Sequence, residues 1–226
     1  MGMELVATNT WRNGGKLMSQ EVLDIVQGMD VHNMELQIAF QCAPLIAGLK
    51  MANLLMVEPD QMVQVHRLLR GSGLSYFVVA AGSGKTAVLL YQRSSLEQYL
   101  KRPCVWKIFA SLGYERQCLG KLLYAFRLRY EAYLQKKGGF PHEMGLLLGY
   151  PVEDVEGYMK YQGKQCLWSG EWKVYAYPGE KKALFASFDK AREELICKLH
   201  QGVAMHQIIE DYSTARRGME RMGVSG

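Results

Sequence analysis

The run YFVVAAGSGKTAVLLYQ, residues 76–92, constrains this chain more than any other stretch, because two apolar, β-rich segments are split there by Gly82, Ser83 and Gly84. Two such segments around a short glycine-bearing turn read as a β-hairpin. Almost everything around them carries helical periodicity. Helices must bury an apolar face against something, so the combination predicts an α+β fold: a helix-rich single domain with a small, mostly antiparallel sheet. Trp172, Val174, Tyr175 and Tyr177 form a second β-rich segment at 171–177, expected to add a strand to the hairpin.

The GSGKT string at 82–86 invites comparison with a phosphate-binding loop. The GxxxxGK[ST] form, however, needs glycine where this chain has Val79. It also needs a helix after the loop to present amide donors to the anion, whereas Thr86 to Tyr91 is apolar and β-branched. No nucleotide site is expected here.

Helical patterns begin near Ser19, where Val22, Leu23, Ile25 and Val26 share a face, and resume after Asn33 with Met34, Leu36, Ile38, Ala39 and Phe40. Pro44 then suits a first helical position. Leu45, Leu49, Ala52 and Met56 follow at helical spacing, which places Cys42 just ahead of a helix. A thiol at such an end meets unpaired amide donors and the positive end of the dipole, which favours thiolate. The competing reading makes Cys42 a small buried filler. Residues 94–137 read as two or three further helices, the last carrying Leu119, Leu122, Leu123, Phe126, Tyr130 and Leu134. Residues 180–201 return to helix. The expected organisation is a flexible arm over 1–18, one domain over 19–202, and a C-terminal helical extension with a frayed tail over 203–226.

Segment 140–158, FPHEMGLLLGYPVEDVEGY, predicts two short helices, one over His142–Leu148 stopped by Gly149 and a second starting at Pro151. The outline mimics a helix-turn-helix. Its second helix opens with Glu153, Asp154 and Glu156, which would repel phosphates, so a structural corner is expected and nucleic acid is not.

Composition narrows the class. With 226 residues and 49% apolar content the chain can build a packed core. No run is long and apolar enough to span a membrane, and the first residues lack a signal-peptide pattern, so a cytoplasmic location is expected. The five cysteines include no CxxC pair, which predicts reduced thiols. A net charge of +5, scattered among acidic neighbours, names no partner.

CAPLIAGLK at 42–50 with Asn53, LLYQR at 89–93, FPHEMGLLLGYPVEDVEGY at 140–158 and GEWKVY at 170–175 resemble the bacterial proteins catalogued as domain of unknown function 3793. The resemblance spans roughly 30–200 and implies no activity, substrate or cofactor. Three readings follow from the reactive residues in those strings. In a papain-like thiol enzyme, Cys42 would be the nucleophile and His142 the base, oriented by Asn53 or Glu143. In a binding domain, Lys50 and Lys173, with Trp172 and Tyr175, would hold a small anionic molecule; a soft metal on Cys42, His142 and Cys166 is the weaker version. In an interaction protein, the same strings would specify turns and packing for a protein partner. A ligand- or partner-binding domain is the leading expectation, with its cofactor unknown.

Overall fold

A three-stranded antiparallel sheet sits between two helical layers in the computed structural model, which describes residues 19–30, 32–81 and 84–221. Its strands are β1 (Ala52–Val57), β2 (Ser75–Ala80) and β3 (Thr86–Tyr91), in the order β1-β3-β2. The hairpin is β2–β3, as its sequence predicts, and a bulge lies between Val78 and Ala80. β3 is central and buried along its whole length. A strand covered on both faces needs a continuous apolar run, and TAVLLY supplies it.

Alternation along the strands divides the interior in two. Val88, Leu90, Leu55 and Val57 face one core, built with α1 (Gln20–Gln27), α2 (Met34–Ile46), α3 (Met62–Leu69), α9 (Pro178–His200) and α10 (Met205–Arg221). Ala87, Leu89, Tyr91 and Ala52 face the other. That side is covered by α4 (Arg93–Leu100), α5 (Pro103–Ser111), α6 (Leu119–Leu134), α7 (Glu143–Leu147) and α8 (Val152–Tyr161). Met205, Ile208 and Ile209 of α10 are essentially fully buried, so this helix packs into the first core. Among the described residues no helix is long and apolar enough to cross a membrane. The N-terminal arm at 1–18 and the last five residues, 222–226, lie outside the described residues.

Two expectations are corrected here. The helical spacing of Leu45, Leu49, Ala52 and Met56 is coincidental. α2 continues from its Asn33 cap through Pro44 to Ile46, and Ala52–Val57 is the strand β1, paired along its length with β3. A partly formed sheet with apolar β3 at its edge offers more burial and hydrogen bonding to ANLLMV than a solvated helix would. The segment near Trp172 does not extend that sheet either. β5 (Lys173–Val174) pairs instead with β4 (Trp168–Ser169) in a separate two-stranded ribbon. Trp172, Val174, Phe185 and Phe188 form a third, small core beneath it.

Candidate functional site

Pro44 stands in the last turn of α2, where a proline has no N–H to offer the carbonyl four residues back. That carbonyl belongs to Phe40, and it accepts a 3.0 Å hydrogen bond from Arg192 Nε on α9 instead. Thus anchored, the Arg192 guanidinium reaches Asp189 Oδ1 through Nη1 and Glu171 Oε1 through Nη2, both at 2.8 Å. All three of its nitrogens are engaged.

Two residues past the end of α2 the chain turns at Gly48, whose φ of +78° is left-handed. The amides of Leu49 and Lys50 both donate to Pro44 O, at 2.8 and 3.1 Å, which fixes the Lys50 backbone against the helix end. The Lys50 ammonium lies 5.4 Å from the centre of the Tyr150 ring and 6.0 Å from that of Phe188. Among the described residues it has no ion pair; the nearby Glu171 is paired with Arg192. Burial lowers the Lys50 pKa to about 8; Glu171 opposes the shift and Arg192 adds to it. The residue as a whole is half-buried. Two ring faces in place of a carboxylate make an unusual setting for a lysine.

Tyr150 continues the site toward α8. Its ring stacks on Trp172 at 4.6 Å, and burial raises its hydroxyl pKa. Trp172 Nε1 donates to Asp154 Oδ2 at 2.8 Å, while Asp154 Oδ1 accepts from the amides of Tyr175 (2.7 Å) and Ala176 (3.2 Å). Asp154 is therefore not part of an exposed acidic helix start. It is 2% exposed and ties the ribbon to α8. Behind Tyr150 and Trp172 lies a cavity of about 20 Å³, lined also by Phe140, His142, Tyr158 and Lys173. Such a space has room for about one water molecule, far short of the roughly 300 Å³ of an organic-ligand pocket.

The residues proposed for a thiol site are not gathered. Cys42 lies inside α2, fully buried in the first core, so the expected helix-start thiolate is corrected. Burial pushes its thiol up to about 12 against the pull of Lys50 and Arg192. His142 occupies the N-cap position of α7, its ring against Phe140 at 5.4 Å and Tyr158 at 5.8 Å. Burial lowers its pKa, and its Nδ1 is buried without a hydrogen-bond partner. Asn53 on β1 donates to Gln41 O, linking sheet to α2 and orienting no imidazole. Glu143, fully buried, accepts from Tyr114 Oη at 2.8 Å and Arg129 Nε at 2.7 Å. Among the described residues no three His, Cys, Asp or Glu side chains are placed to share a metal, so Cys42, His142 and Cys166 are not brought together. Iodoacetamide at neutral pH is accordingly expected to alkylate the exposed Cys104 and Cys118 and to leave Cys42 unmodified in the folded protein, read by peptide mass spectrometry. A Cys42 that reacts as fast as Cys104 would contradict its burial.

Of the residues proposed for ligand binding, Lys50 and Trp172 meet at this junction on either side of Tyr150. Lys173 lines the small cavity, its ammonium donating to Gly163 O at 2.6 Å. Tyr175 packs over Gly157 and stacks on Tyr161. Tyr150, Glu171, Asp189 and Arg192 went unnoticed in the sequence. A proline near the end of a helical pattern was the available signal, because it leaves an acceptor for a cation elsewhere in the chain.

A family model described as protein of unknown function (DUF3793) matches residues 38–209. No curated protein and no solved structure matches the chain.

Proposed function

Because the chain belongs to the family of unknown function DUF3793, which brings no activity with it, we propose from geometry that it is a small-molecule-binding domain with its site at Lys50. One observation carries this reading: the Lys50 amine lies above the faces of Tyr150 and Phe188 with no ion pair among the described residues, while Arg192 engages Glu171 and Asp189. Desolvating a lysine without a counter-ion costs stability. A ligand with an acceptor group and a flat apolar body would relieve that cost, the acceptor meeting the amine and the body lying beside Tyr150. The backbone hydrogen bonds to Pro44 O fix the Lys50 backbone beforehand, so less ordering is left to binding. Cys42 serves as wall in this arrangement and takes no chemical part.

Benzoate, which combines a carboxylate with a ring, is a direct probe. In ligand-observed saturation-transfer NMR it is expected to receive signal from the native protein and to lose most of it in Lys50→Met. Equal transfer to both proteins would move the site elsewhere, and no transfer to the native protein would remove the reading.

A further inference from the structure

We propose that the outward face of α6 docks on an anionic lipid bilayer, lying along its surface with Tyr124 and Leu128 in the headgroup region and lysines at both helix ends against the lipid phosphates. The inference is independent of the Lys50 site.

The charge of the chain is unevenly placed. Between the end of α4 and Gly139, residues 101–139 carry nine Lys and Arg against Glu115 and Glu131, a net of +7, whereas the whole chain carries +5, which leaves everything else at −2. Arg127 is paired with Glu131 and Arg129 with Glu143. Lys121, in the first turn of α6, and Lys136 and Lys137, just past its last turn, are exposed and have no ion pair among the described residues. Cations so placed are free to meet an anionic surface.

The helix between them has an apolar back. Leu119, Leu122, Leu123, Phe126 and Tyr130 turn into the second core. Tyr124 and Leu128, one turn apart, point away from it, 58% and 50% exposed, with the half-buried Ala125 and Ala132 beside them. Single exposed apolar side chains are ordinary. A tyrosine and a leucine on one outward ridge about 24 Å long, bracketed by unpaired lysines, have the composition of an interfacial helix. Tyrosine suits that depth because its ring enters the apolar layer while its hydroxyl stays in water. A helix ridge is convex and needs a partner that yields around it, as lipid headgroups do; duplex nucleic acid offers phosphates but little apolar surface for Leu128. Charge and apolar contact are each weak anchors, and stable attachment to a bilayer takes two such signals together.

Co-sedimentation with phosphatidylcholine vesicles, with and without about 30% phosphatidylglycerol, tests this. The native chain is expected to bind the anionic vesicles at least about tenfold more tightly than the neutral ones, with the affinity falling as salt is raised. Lys136→Gln combined with Lys137→Gln is expected to weaken binding about fivefold for each lysine removed. Tyr124→Ser combined with Leu128→Ser is expected to weaken it about tenfold and to leave the salt dependence unchanged. All four positions are exposed, and circular dichroism checks that the variants fold. No binding to the anionic vesicles, or a serine variant that binds them as the native chain does, would overturn the proposal. So would a dimer in analytical ultracentrifugation that the serine variant dissolves, since the ridge would then belong to a second copy of the chain. Tighter binding to an RNA oligonucleotide than to the vesicles, with the serine variant unaffected, would overturn it too by giving the charge to nucleic acid.

Discussion

Asp154→Ala is expected to lower the unfolding free energy by about 3–5 kcal/mol, since three donors lose their acceptor at about 1–3 kcal/mol each. The carboxylate is 2% exposed and accepts from Trp172 Nε1 and from the amides of Tyr175 and Ala176. Deleting it leaves three donors without their acceptor in a region that excludes most water, and each carries its own desolvation penalty. The loss is also topological. A ribbon with two residues per strand has little cohesion of its own, and Asp154 is what fastens it to α8. Urea unfolding followed by tryptophan fluorescence measures the change. Asp154→Asn, which keeps one acceptor oxygen, is expected to lose less. A loss below about 1 kcal/mol for the alanine variant would mean that solvent enters and replaces the carboxylate.

The second large effect is expected at Phe188. Phe188→Ala removes a side chain with no exposed surface from beneath Trp172, Phe185 and Lys50, and large-to-small changes of this kind cost about 3–5 kcal/mol. The Phe188 ring also forms part of the wall that keeps water from the Lys50 amine. A cavity there would rehydrate the amine and let its pKa climb back toward the ordinary lysine value. The variant should therefore unfold at lower urea than the native chain, read by tryptophan fluorescence; an unchanged midpoint would mean that neighbouring side chains close over the gap.

What the sequence disclosed and what it hid have separate physical causes. The β2–β3 hairpin, the helix starts near Ser19 and Asn33, and the corner formed by α7 and α8 were legible because local signals decide them: apolar runs, helical periodicity, glycine and proline at helix ends. β1 was missed because ANLLMV has both spacings in it, and only the partner strand β3 selects one of them. The ribbon was misassigned because its strands are too short to compete for a sheet edge, and Asp154 draws the segment toward α8. Lys50 and Trp172 could be picked out as chemically unusual for their strings, but nothing local says that Tyr150 stands between them. Cys42 drew attention for its reactivity. Its surroundings of Leu, Ile and Ala side chains, many contributed by elements far along the chain, bury it and disfavour the thiolate.

The site's electrostatics can be traced to an atom that is missing. A helix built without proline would pair the amide of residue 44 with Phe40 O, and Arg192 would have to compete for that oxygen. By withholding one hydrogen, Pro44 leaves Phe40 O free to serve Arg192 as an acceptor supplied by backbone alone. No inventory of polar side chains registers it. A search for related sites would therefore do better to look for helices interrupted near their C-terminal end, with an arginine on the adjoining helix, than for any pattern of charged residues. In this chain a change at position 44 would act on Lys50 at second hand, through the grip on Arg192, without altering a group that touches the ligand.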